Sequence, residues 1–448
     1  MEPVNKFDDY SREKVPERSR YGLYNMFFTL SGVFGAIAVI FAGGVLGTGE
    51  TFNQAVIAVV AGVVIMSLIG SLTSAIGSYS GLSTYEGWRF PFGRWGGKIS
   101  GFVLITITTG IGWFAVESWF FGVVINEIFP NNPFFSVGAA AIWGGALMIL
   151  STYIGYRAVS SLSYFIIPQH IWLILLGLGF IFALHGGFGS VFTIVPAGHL
   201  SLTAAITDVV GLYIAGTLIA PDITRFARKP RDAVIAWNLH MWIFYPFLVL
   251  GAVAIVLMTG SAIITADMLT LGMGVGVIII IVLGQWIINT INLYSGSLSF
   301  SNFVPISREK SSLIVGIVGV AMAGYWGFSS GSSLAPFESF ISILGEILPA
   351  VGGVVFAEFF IIKPYVHKIK DPVERFHFEN GKTYDQLNVA GIAALAIGSA
   401  TGIFVSIGIA AINSLVVAFS AYLMITAVLE KMKINYRLGK YEVKEVLN

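Results

Sequence analysis

Long apolar runs alternate with short polar blocks along the whole chain, at 23–47, 54–78, 100–128, 135–156, 161–184, 203–226, 234–259, 272–300, 312–328, 336–361, 389–411 and 413–430. A helix needs about 20 apolar residues to cross the hydrocarbon core of a bilayer. The pattern therefore predicts an all-α polytopic membrane protein with twelve transmembrane helices. The basic residues sharpen it. All 25 Lys and Arg lie in the N-terminal segment, the even-numbered connections or the C-terminal tail, and the odd-numbered connections carry none. A missed or extra helix would scramble that alternation. By the positive-inside rule, both termini are expected in the cytoplasm of a cell-limiting (plasma or inner) membrane.

The expected organisation is a cytoplasmic N-terminal segment 1–22, a first five-helix block 23–184 and a second block 203–361. A charged cytoplasmic loop 362–388, two further helices within 389–430 and a solvated tail 431–448 follow. An odd number of spans per block turns the second block upside down relative to the first. Both blocks open on a helix weakened by glycine. The first has Ser31-Gly32-Val33-Phe34-Gly35, and the sixth has Gly211 and then Ala215-Gly216-Thr217. This predicts a five-plus-five inverted repeat with discontinuous helices 1 and 6, plus two C-terminal helices, and a transporter site at mid-membrane. The pairing rests on position, since no residue-by-residue repeat is visible. Unwound backbone at membrane depth is tolerated where it lines a cavity. Phe34, Gly35, Ala215 and Gly216 are therefore substrate-site candidates.

Composition narrows the class. Of the 448 residues, 56% are hydrophobic and 11% charged, against about 25% charged in a soluble domain. There are no cysteines, which excludes disulfides, thiolate metal sites and cysteine nucleophiles. The net charge of +1 comes without a basic stripe bearing base-stacking aromatics, so nucleic acid is not expected as a partner. No metal-ligand cluster, phosphate-binding loop or nucleophile elbow is present. The chain reads as no enzyme, with no cofactor and no metal.

The chemistry concentrates in the third span, where Trp113 and Glu117 stand four apart and share one helical face. A carboxyl at that depth is either packed into a helix interface or a ligand for substrate or proton. An aromatic platform beside such an acid suits a flat, polar ring. Tyr213 could cover the other face of that ring. Gln285, Asn289 and Asn292 are buried amides in the eighth span, and Asn289 either lines a cavity or bonds a neighbouring helix. Glu346, with Pro349 one turn on, is a coupling or gating candidate beside Glu117. Asp208 and Glu338 fall towards the outer surface and Glu358 towards the inner one, where solvation is easier. Asp222 and Arg225 are three apart, as in a helix-surface ion pair or a cytoplasmic latch. His170 and His240 read as satisfied buried histidines.

Several stretches together resemble the nucleobase–cation symporter family, in its purine–cytosine permease branch (cytosine, purine, uracil, thiamine and allantoin permeases). They are Ala42-Gly43-Gly44-Val45-Leu46-Gly47-Thr48-Gly49, Ser80-Gly81-Leu82-Ser83-Thr84, Arg89-Phe90-Pro91-Phe92-Gly93 and Gly112-Trp113-Phe114. Pro221-Asp222-Ile223-Thr224-Arg225-Phe226, Leu293-Tyr294-Ser295 and Pro349-Ala350-Val351-Gly352-Gly353-Val354 complete the set. The resemblance implies alternating access and uptake of a heterocyclic base driven by a cation gradient. It implies that Trp113 stacks on the base, with Tyr213 as the aromatic of span six and Asn289 as the span-eight amide. Many relatives place Gln where this chain has Glu117. Sodium-coupled members use span-eight hydroxyls where this chain has Ile287 and Ile288. Both departures favour a proton over sodium as the coupling cation, and the carboxylate favours a donor-rich base edge. The alternatives are a same-fold symporter for allantoin, a hydantoin, thiamine or an amino acid, possibly sodium-coupled, or a non-transporting sensor.

Overall fold

The computed structural model describes residues 14–34, 38–154, 166–185, 187, 189–261, 263, 266, 274–376, 378 and 382–442. Helix occupies part or all of every stretch expected to span. We number the main helices α1 (Leu23–Phe34), α2 (Ala38–Gly49), α3 (Phe52–Ser80), α4 (Arg89–Ile128), α5 (Val137–Ile154), α6 (Ile166–His185) and α7 (Leu202–Leu218). They continue as α8 (Pro230–Thr259), α9 (Gly274–Phe303), α10 (Arg308–Ser330), α11 (Ala335–Ile347), α12 (Pro349–Phe356), α13 (Val389–Phe404) and α14 (Ala410–Lys431). Among the described residues, 7 helical stretches are by themselves long and apolar enough to cross a membrane.

The break expected in the first span falls on 35–37, outside the described residues. The break expected in the sixth span is displaced. α7 runs unbroken through Gly211, Ala215 and Gly216, and the interruption comes at Ile219–Ala220, before the short turn Pro221–Thr224. Proline at the start of that turn explains the place, because it donates no N–H to a continuing helix. The glycines serve close packing instead. A Cβ on Gly211 would stand 1.7 Å from the Ile341 carbonyl oxygen, and one on Gly345 would stand 2.3 Å from that of Thr207. α7 and α11 therefore touch backbone to backbone.

The middle of α4 widens into π-helical turns over Phe102–Trp113. Two threonines support that register: the Thr108 and Thr109 hydroxyls donate to the carbonyls five residues back, Val103 at 3.2 Å and Leu104 at 3.4 Å. Gly110 there meets Gly296 of α9. Such turns are frequent at functional sites, and here they run up to Trp113, one turn before Glu117.

One end of the bundle carries both terminal segments. The Val15 N–H donates to Gly81 and Arg20 Nη1 donates to Ser78, both at the end of α3, while the Tyr21 N–H donates to Phe226 beyond α7. The expected solvated tail is in fact docked. Strand β1 (Thr383–Asn388), in the charged loop, pairs antiparallel with β2 (Arg437–Glu442), in the tail. Tyr441 and the Arg437 guanidinium face inward, and Arg437 bonds Glu358. Charge density along the sequence signals solvation only where no opposite charge awaits in the fold.

Candidate functional site

Glu117 sits in the first α-helical turn after the π segment of α4. It is 0% exposed. Neither carboxyl oxygen has a hydrogen-bond partner of normal geometry among the described residues. The backbone N–H of Ala38 is directed at the carboxyl without completing such a bond. Ala38 is the first described residue of α2. Three residues on in both helices, Phe41 stacks on Phe120 with centroids 3.8 Å apart, which holds α2 against α4. The acid and this backbone N–H thus face each other in an apolar setting. An isolated carboxylate there costs several kcal/mol, so the arrangement is suited to receive a donor or a proton.

Trp113 lies one turn before Glu117 on the same face. It is half-buried. Its ring meets Phe340 at 5.2 Å and Phe337 at 6.4 Å, edge to face, and so reaches α11. Tyr213 of α7 belongs to the apolar cluster on whose margin Trp113 packs. Its hydroxyl is hydrogen-bonded to His240 Nε2 at 2.6 Å, and His240 Nδ1 is 3.1 Å from Ser31 Oγ. This buried relay joins α7, α8 and α1. His240 is satisfied, as expected, but the part Ser31 plays was invisible in a sequence where serine is common.

Asn289 is buried, and its amide nitrogen is held by neighbouring helices. Nδ2 lies within bonding distance of the Phe114 carbonyl (3.1 Å), Ser118 Oγ (2.9 Å) and Met148 Sδ (3.1 Å). Phe114 and Ser118 are each one residue beyond Trp113 and Glu117, about 100° further round the helix. Asn289 therefore grips the adjacent face of α4. Its Oδ1 has no partner among the described residues, and neither has either amide atom of buried Gln285 one turn earlier. Asn292 is only half-buried.

The other candidates fall as follows. Phe34 is the last described residue of α1, and Gly35 lies outside the described residues. Ala215 is buried and Gly216 half-buried within regular helix, so the free backbone groups expected of them there are not offered. Glu346 is half-buried on α11, and a Cβ on Gly402 would stand 1.9 Å from its carbonyl oxygen, so α13 covers its backbone. Asp222 Oδ1 accepts from the Thr84 N–H at 2.7 Å, while Arg225 Nε donates to the Asp222 carbonyl at 3.1 Å. That contact ties the end of span six to the turn after α3. Asp208 and Glu358 are not solvated as expected: they are 2% and 1% exposed.

Comparison with known proteins adds four findings. The family described as permease for cytosine/purines, uracil, thiamine, allantoin matches residues 14–436. The chain is 26% identical over 441 residues to the cytosine permease of Escherichia coli strain K12, covering 96% of each. Among solved structures it superposes on Mhp1, a nucleobase-cation-symport-1 family transporter, in the inward-facing conformation with a TM-score of 0.78 at 16% identity, covering 96% of each chain. Against Mhp1 in a closed conformation with bromovinylhydantoin bound, the TM-score is 0.72 at 16% identity, covering 94% of this chain and 96% of that one.

Proposed function

Because the chain belongs to the family of permeases for cytosine, purines, uracil, thiamine and allantoin, we propose that it imports a purine or pyrimidine base by alternating access, coupled to protons. Twelve spans in a five-plus-five inverted repeat plus two helices, with termini in the cytoplasm, fit both the basic-residue alternation and the likeness to Mhp1. The observation that carries the reading is the Glu117 carboxyl, buried, without a hydrogen-bond partner of normal geometry among the described residues, and facing the Ala38 N–H one turn from Trp113. The base stacks on Trp113 and presents its edge to Glu117. The unpartnered Asn289 Oδ1 and the Glu117 oxygens are acceptors. They select an edge rich in donors, such as the amino edge of cytosine or guanine, and the cytosine permease is a relative. Glu117 exchanges the coupling proton as base arrives and leaves, with Glu346 as a second coupling candidate. Asp222 against Thr84 serves as a latch at the cytoplasmic end.

Uptake of labelled cytosine, guanine, uracil, allantoin and thiamine into proteoliposomes, with an imposed pH or sodium gradient, tests this. Cytosine or guanine uptake driven by the pH gradient is expected. Sodium-driven, pH-insensitive uptake would contradict the coupling, and preference for allantoin or thiamine would contradict the substrate class.

A further inference from the structure

Another buried acid keeps one oxygen without a partner among the described residues. Asp208 of α7 lines a water-sized cavity with Ala42, Val45 and Leu46 of α2, Tyr245 and Val249 of α8, and Ile341 of α11. Its Oδ1 accepts a hydrogen bond from the Ser342 hydroxyl of α11. Its Oδ2 is buried without a partner among the described residues. The cavity wall is otherwise nearly all hydrocarbon. Among the described residues its one further polar side chain is Tyr245, whose hydroxyl donates to the Val209 carbonyl. A metal cation would find too few oxygens there, since even sodium-like and calcium-like sites need several. A proton needs only one.

The charged groups acting on Asp208 are Glu338 and Glu346, four residues either side of Ser342 on α11. The residues that α2 presents to the cavity are uncharged. On the same two helices lie two close backbone approaches between α7 and α11, at Gly211 and Gly345. A negative charge on Asp208 repels the two glutamates across that seam, and neutralising it removes the repulsion.

We propose that Asp208 is a proton-binding site distinct from Glu117, and that a proton on it holds α11 against α7. Loss of that proton loosens the seam. The site belongs to this chain's own packing and does not depend on which base is carried.

Infrared difference spectra of the purified protein without substrate, titrated with pH, test the proposal through the C=O stretch of protonated carboxyl groups. Wild type and Glu117→Gln are expected to share one band component that Asp208→Asn lacks. Ser342→Ala is expected to keep that component at a shifted frequency, because one hydrogen bond to it is gone. Identical spectra for wild type and Asp208→Asn would overturn the proposal. So would loss of the component on adding sodium at fixed pH, which would make Asp208 a cation site. If Asp208→Asn does not fold, Ser342→Ala decides alone: a shifted band supports the site and an unshifted one removes it. The measurement contains no base, so failure of the nucleobase reading leaves its result intact.

Discussion

Two buried carboxyls, Glu117 in the middle of α4 and Glu358 just beyond α12, show what an acid does inside this bundle. Glu358 is fully matched. Both its oxygens lie within 3.2 Å of Arg437 Nη2, and Oε2 also accepts from the Tyr422 hydroxyl at 2.7 Å. Asn388 in turn donates to Tyr422, and Asp385 takes the other arm of Arg437. Burial by itself works against the Arg437 charge, but Glu358 beside it reverses the balance and raises its pKa. Glu117, equally buried, has none of this. The matched acid fastens the tail to the bundle. The unmatched one, without a partner of normal geometry among the described residues, leaves an interaction that a ligand or a proton can complete.

The largest effect expected from this contrast comes from breaking the matched site. Arg437→Ala leaves Glu358 buried and unpaired, which costs about 3–5 kcal/mol. A clear fall in the thermal unfolding midpoint in detergent is expected; an unchanged midpoint would put the tail in solvent. Next is Trp113→Ala, which removes the proposed stacking face. Base–aromatic stacking is worth about 1–3 kcal/mol, so the dissociation constant for the transported base should rise about 5- to 150-fold by equilibrium binding. Unaltered affinity would take Trp113 out of the site. The smallest is Tyr422→Phe, which deletes one neutral donor from Glu358 while Arg437 remains. A loss of about 1.5 kcal/mol, the low end for a hydrogen bond to a charged group, should register as a small stability decrease with uptake per folded molecule unchanged.

The same contrast explains what could be read in the sequence. The spans were legible because bilayer thickness imposes a length on every apolar run. Trp113 and Glu117 were legible because helical spacing is local. The partnership of Glu358 with Arg437 was not, since 79 positions separate them and both were counted as solvated charge. Asp208 was misjudged for a related reason: nearness to a span end says nothing about the glycine-tight seam that seals it. The break in span six was placed at its glycines, whereas Pro221 decides it and Gly211 serves contact. The backbone N–H of Ala38 that Glu117 faces has no signature in residue types at all.

Coupling in this permease depends on a proton carried by Glu117, as proposed above. The most direct measurement loads proteoliposomes with a pH indicator, adds base outside without any ion gradient, and follows internal pH for wild type and Glu117→Gln. Base-driven acidification is predicted for wild type and none for the variant, even if the variant still binds or equilibrates base. Acidification of equal rate in both would contradict the account.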